Sequence, residues 1–125
     1  MASGITIVGL GPGNPEQITR EAWRALEAAP EVYLRTLRHP VGEALPHGPS
    51  YRSFDALYES TDTFEQVYEA IAQQLLALAE RPEGVVYAVP GHPSVGETSV
   101  RRALELARAH GLEARVIAGL SFIEP

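Results

Sequence analysis

Three times along this 125-residue chain, a run of β-branched apolar residues ends directly in a turn rich in glycine, proline or serine. The runs are residues 5–10, 84–89 and 115–117, and the turns are residues 9–14, 90–95 and 118–122. Helical periodicity follows the first turn and the second. A short strand with no polar alternation belongs inside a parallel sheet, covered on both faces. Strands that alternate with helices build α/β layers by crossover connections. The expected fold class is therefore α/β, with a mostly parallel four- to five-stranded sheet flanked by helices. With no internal repeat and no linker, residues 1–125 read as a single α/β domain.

Local signals place the other elements. Asn14 can cap a helix, Pro15 suits its first position and Gln17 can complete a capping box. Ile18, Ala22, Ala25, Leu26 and Ala29 then form one apolar stripe, which Pro30 ends. Residues 31–35 read as a second strand through Val32, Tyr33 and Leu34. Residues 36–60 hold Pro40, Pro46 and Pro49 and read as loop, with one helical turn near 41–45 and a short edge strand at 51–54. Asp62, Thr63, Phe64 and Glu65 resemble another capping box. Phe64, Val67, Tyr68, Ile71, Leu75 and Leu78 follow at helical spacing until Pro82 and Gly84. Residues 97–110 form a last helix, with Val100, Ala103, Leu104 and Ala107 inward and Gly111 as its C-cap.

Composition removes several chemistries. The chain has no cysteine, so disulfides, thiolate metal sites and thiol nucleophiles are out. It has no lysine either: all ten basic residues are arginine, which removes Schiff-base catalysis and a Walker-A loop. A net charge of −6 argues against broad nucleic-acid binding. No stretch is long and apolar enough for a membrane span, and the N-terminus lacks the features of a signal peptide. The expected location is the cytoplasm. His39, His47, His92 and His110 show no metal-ligand spacing, so no metal site is expected. Glu65 and Glu69 read as a solvated helix face. No G-x-S-x-G elbow is present.

In parallel sheets, ligands sit beyond the carboxyl ends of the strands, where the three turns lie. The first, Gly9-Leu10-Gly11-Pro12-Gly13, has one rival reading as a dinucleotide-binding turn. There the third glycine would stand at position 14, but Gly13 comes one place early and Asn14 follows. The second strand ends in Arg35 rather than an acidic residue. A tight turn without any ligand stands beside these readings. In Pro90-Gly91-His92-Pro93 the two prolines fix the backbone. His92 reads as a turn residue bonded to backbone, with a ligand-facing imidazole as the second option. Arg20, Arg24, Arg35 and Arg38 form a basic patch near the first turn or ordinary surface charge.

Taken in order, the three turns resemble a known family. The stretch from Ile7 through Gly9, Gly11, Pro12, Gly13, Asn14 and Pro15 to Ile18-Thr19 resembles the opening G-x-G-P-G-[DN]-P motif of tetrapyrrole (corrin/porphyrin) methylases. Val89-Pro90-Gly91-His92-Pro93 resembles their central G-D-P loop, and Val116 to Phe122 their V-x-P-G-x-S segment. A narrower resemblance rests on Val32-Tyr33-Leu34-Arg35-Thr36 with His39-Pro40, Phe54-Asp55 with Leu57-Tyr58-Glu59, and Tyr87 to Pro93. These are similar to the methylase-like domain fused to MazG-type nucleotide pyrophosphohydrolases.

The resemblance implies a two-domain enzyme holding S-adenosyl-L-methionine (SAM) between its halves, with this chain as the N-terminal half and the other half absent. Carried over by motif, Pro12, Pro90, Gly91, His92, Val95, Ser121 and Phe122 line the cofactor site. The implied activity is SAM-dependent methyl transfer to a small-molecule acceptor, a tetrapyrrole among the candidates. No catalytic residue is assigned, because displacement at an activated methyl needs positioning rather than a protein nucleophile. His92 as a general base is a subsidiary hypothesis. His92 replaces the family's aspartate, Asn14 its commoner aspartate and Ala118 a proline. Two other readings remain: a regulatory domain of a MazG-type hydrolase, whose E-E-x-x-E helix this chain lacks, and a binding module without turnover. An uncovered face at the strand ends implies self-association, with a homodimer as the expected form.

Overall fold

The computed structural model describes residues 3–11, 13, 15–35, 45–90 and 98–117. Five strands form one sheet: β1 (Ile5–Gly9), β2 (Glu31–Leu34), β3 (Ser50–Ser53), β4 (Val85–Val89) and β5 (Ala114–Ile117). Their order is β3-β2-β4-β1-β5, and every pairing is parallel. The register sets Ile7 beside Tyr87 on one side and Val116 on the other. The helices are α1 (Arg20–Ala28), α2 (Asp55–Ser60), α3 (Phe64–Ala79) and α4 (Thr98–Ala109). The expected α/β class and parallel sheet are what the chain adopts. Among the described residues no helix is long and apolar enough to cross a membrane.

Strand alternation divides the core. Val8, Leu10, Val86 and Ala88 pack with Ala22 and Leu26 of α1 on one face. Ile5, Ile7, Tyr87 and Val89 pack with α3 and α4 on the other. A fully buried aliphatic side chain contributes about 1.5–3 kcal/mol. A helix cap contributes about 1 kcal/mol. Docking on the sheet therefore does more than capping to hold the helices.

Several boundaries depart from expectation. Pro15–Gln17 is a single 3-10 turn, and the cap of α1 is Thr19, five residues after Asn14, its hydroxyl accepting from Ala22 N at 3.1 Å. Thr63 caps α3 and accepts from Gln66 N at 3.2 Å. The stretch expected as loop contains α2, directly after edge strand β3. α2 buries none of its residues, so no apolar stripe announced it. The helical turn expected near 41–45 lies outside the described residues except for Leu45, which is buried.

Candidate functional site

The strand order decides where ligand chemistry can sit. β4, β1 and β5 are consecutive in the sheet and parallel, so their carboxyl ends lie side by side at one edge. From β1 the chain passes to α1 on one face. From β4 it passes to α4 on the opposite face. Neighbouring strands whose connections part to opposite faces open a crevice between them, the usual ligand position in such sheets.

The first turn is built to lie close against that edge. Leu10 N–H donates to Val89 O at 2.8 Å, tying the end of β1 to the end of β4. The Leu10 side chain is buried in the α1-side core. Gly11 follows at φ +77°, and a Cβ there would stand 3.0 Å from Gln17 O. Gly13 has φ +135°. Both glycines occupy backbone space that L side chains seldom enter, so the turn requires glycine at these two positions.

On the other side of the crevice, Pro90 follows β4 directly and is buried. Two residues before the strand ends, the Tyr87 hydroxyl shares a hydrogen bond of 2.9 Å with Ser99 Oγ. Both side chains are fully buried. This bond spans from β4 to the first turn of α4, either side of residues 91–97. Beyond β2, Arg35 N–H donates to Ala88 O at 3.3 Å. The Arg35 guanidinium donates to the Tyr58 hydroxyl at 3.4 Å.

Of the expected cofactor contacts, Pro90 is placed at this edge, while Pro12, Gly91, His92, Val95, Ser121 and Phe122 lie outside the described residues. His39 and Arg38 also lie outside them. His47 is exposed, and His110 Nδ1 sits 2.9 Å from Leu106 O at the end of α4. Among the described residues no group of three or more His, Asp or Glu side chains could hold a metal. Glu69 is half-exposed and bonded to Arg102 at 2.7 Å. Hydrogen bonds from Arg102 and then Gln73 hold its carboxyl below the ordinary glutamate range. Near the β3 edge, burial pushes the Tyr51 phenol upward, and its hydroxyl donates to Pro46 O at 2.6 Å.

Two features escaped sequence reasoning. The Tyr87–Ser99 pair joins positions twelve residues apart, which no spacing rule connects. Phe64 falls on the apolar stripe of α3 yet is 69% exposed. A separate cleft of about 490 Å³ opens at the amino ends of the strands, lined by Thr6, Ala25, Ala29, Val86 and Arg115 among others. It lies at the opposite end of the sheet from all three turns.

Known proteins match this arrangement. The family model for Tetrapyrrole (Corrin/Porphyrin) Methylases matches residues 4–125. The uncharacterized protein YabN of Bacillus subtilis is 43% identical over 125 residues, covering 99% of this chain and 25% of that protein. Uroporphyrinogen-III C-methyltransferase of Pseudomonas aeruginosa is 30% identical, covering 97% of this chain and 48% of the relative. The crystal structure of uroporphyrin-III-C-methyltransferase from Thermus thermophilus superposes with a TM-score of 0.71 at 28% identity, covering 97% of this chain and 49% of that one. A structure of that Thermus enzyme complexed with S-adenyl homocysteine superposes at 0.61 with 26% identity, over 94% of this chain and 48% of that one. The chain thus spans a quarter to a half of these relatives' lengths.

Proposed function

Because the chain belongs to the tetrapyrrole (corrin/porphyrin) methylase family, we propose that it supplies one wall of the cofactor cleft of a SAM-dependent methyltransferase. The observation that carries this reading is the adjacency of the carboxyl ends of β4, β1 and β5 at a point where connections part to opposite faces. The complex of the Thermus relative supports the cofactor class. The chain's share of its relatives' length supports a second α/β half completing the cleft in the whole protein.

The described residues fit such a cofactor by backbone rather than by charge. Gly11 and Gly13 bring no side chains of their own to the turn, and Leu10 gives it an apolar footing. Pro12, Gly91, His92, Val95, Ser121 and Phe122 complete the proposed contacts with Pro90. When bound, SAM supplies an already activated methyl group. The chain then needs only to orient that group and exclude water. Leu10 N–H and Val89 O hold the two walls in register. The Tyr87–Ser99 bond fixes the start of α4 relative to β4, which sets the span the second turn crosses. The acceptor is proposed to be a small molecule, and the protein is proposed to act in the cytoplasm as a homodimer.

Titration with S-adenosylhomocysteine, followed by amide NMR, tests the reading. Weak, fast-exchanging binding is expected, because one wall is present. The perturbed amides should be Leu10, Gly11 and Val89. Perturbation confined to Thr6, Ala29 and Val86 would move the site to the amino-end cleft and sink the proposal.

A further inference from the structure

The first turn of α3 carries an aromatic face that the core does not use. Phe64 opens the stripe whose later members Val67, Ile71 and Leu75 are fully buried. It is nonetheless 69% exposed. Length explains this. The sixteen residues of α3 rise about 24 Å, whereas the five of β4 span about 17 Å. The far end of α3 is pinned at the amino edge, where Ala79 O accepts from Gly4 N at 2.9 Å. The helix therefore overshoots the carboxyl edge, and its inward-facing Phe64 overhangs it.

Phe64 is one of three rings there. Its centroid lies 6.4 Å from Tyr58 and 6.4 Å from Tyr68, which are 6.5 Å from each other. Two hydrogen bonds tie the group to the crevice: Tyr58 to the Arg35 guanidinium, and Arg35 N–H to Ala88 O next to the end of β4. Within two residues of these rings along the chain are the exposed carboxylates Glu59, Asp62 and Glu65. From position 53 to position 80 the chain has no Arg, Lys or His.

A cluster of one exposed ring and two half-buried ones, with an acidic fringe that outnumbers the Arg35 guanidinium on Tyr58, complements a flat or apolar group that carries a positive charge. The same fringe repels a polycarboxylate. We propose that Tyr58, Phe64 and Tyr68 form the platform for the methyl acceptor, and that this acceptor pairs an apolar or aromatic group with a guanidinium or ammonium. The proposal rests on the methyltransferase reading above and adds the acceptor's chemical class to it.

Acetyl-phenylalanyl-arginine amide is a suitable probe, with acetyl-phenylalanyl-glutamate amide and uroporphyrin as contrasts. Each is titrated into the 125-residue chain, with and without saturating S-adenosylhomocysteine, and read by NMR. The arginine probe should shift the Tyr58, Phe64 and Tyr68 resonances. The glutamate probe should bind about fivefold more weakly, and Phe64→Ala should weaken the arginine probe about threefold to fivefold. Phe64 is exposed, so the variant should keep the wild-type circular dichroism. The pair Asp62→Asn and Glu65→Gln should erase the preference for arginine while leaving the rings in place.

Equal affinity for the two dipeptides, or no effect of Phe64→Ala, overturns the proposal. So does uroporphyrin binding on these rings. If S-adenosylhomocysteine perturbs the crevice while the dipeptides leave the rings untouched, the acceptor class is wrong and the methyltransferase reading stands. If the arginine probe binds the rings but S-adenosylhomocysteine reaches no part of the crevice, the cofactor reading falls. The platform then is no acceptor site.

Discussion

At the amino ends of the strands, main chain holds main chain. Gly4 N–H donates to Ala79 O, Ile5 N–H to Glu113 O and Val85 N–H to Gly4 O, each at 2.9 Å. Arg81 donates to the carbonyls of Leu78 and Gly84 and to the Glu31 carboxylate, which also accepts from Arg52. At the carboxyl ends the first turn bends through Gly11 and Gly13, and α3 leaves an aromatic ring uncovered. The amino end adds a side-chain network around Arg81 to its main-chain bonds. Among the described residues the carboxyl end is tied by main-chain bonds such as Leu10 N–H to Val89 O and exposes Phe64.

The same small change at each end should separate these roles. Gly4 has φ +128°, and a Cβ there would lie 2.6 Å from Glu113 O, a backbone atom with no room to yield. Gly4→Ala should therefore cost about 3 kcal/mol of stability. Urea denaturation with a shared slope measures it. A cost below that of any carboxyl-end glycine substitution would break the comparison.

Gly11→Ala is the matching change. With φ +77° and a contact of 3.0 Å to Gln17 O, it should cost about 1–2 kcal/mol. Its larger effect should be on ligand. The amide shifts caused by S-adenosylhomocysteine should vanish in this variant and persist in Gly4→Ala at temperatures where both are folded. Equal loss in both variants would show that the two ends are not functionally distinct.

How much of this difference the sequence discloses depends on distance along the chain. β1, β4 and the α3 stripe follow from local periodicity, since Ile5, Ile7, Val85, Tyr87, Ile71 and Leu75 are buried where their spacing puts them. The α1 start departs from the local signal because Asn14-Pro15-Glu16-Gln17 is a complete one, whereas Thr19 has only Ala22 three residues on. That first signal formed a 3-10 turn, and the helix started at the second. Local pattern discloses the three turns one by one. Their convergence on one site comes from the family resemblance, because β4 inserts between β2 and β1 and strand order is a tertiary choice. Phe64 shows the same limit. Its spacing assigns it to the core face, but only the sheet's length determines where that face stops being covered.

Tyr87 and Ser99 offer a finer test, since their bond sits just inside the carboxyl edge. Tyr87→Phe keeps the ring, which meets Phe54 edge-on at 5.8 Å, and removes only the hydroxyl. The expected cost is about 1 kcal/mol. If the bond positions α4 for the crevice, S-adenosylhomocysteine should also bind more weakly in Tyr87→Phe. A stability loss with unchanged ligand shifts would make the bond a core contact alone and move the boundary between the two regions outward.

The smallest effect belongs to neither end. Glu69 and Arg102 join α3 to α4 across the outer surface. The Glu69 carboxyl is held below its ordinary range by the Arg102 and Gln73 hydrogen bonds. A carboxyl whose folded-state pKa is depressed adds stability that is fully present above its unfolded value. That stability is lost as pH falls through the folded value. Wild type should therefore unfold at slightly higher urea than Glu69→Gln at neutral pH. The gap should close as pH drops below the ordinary glutamate range. Both side chains are exposed to solvent, so added salt should also narrow it. A gap that persists in acid and in high salt would mean that Gln73 and helix packing, rather than the charge pair, carry the contact. The outer helix surface would then count with the locked amino end.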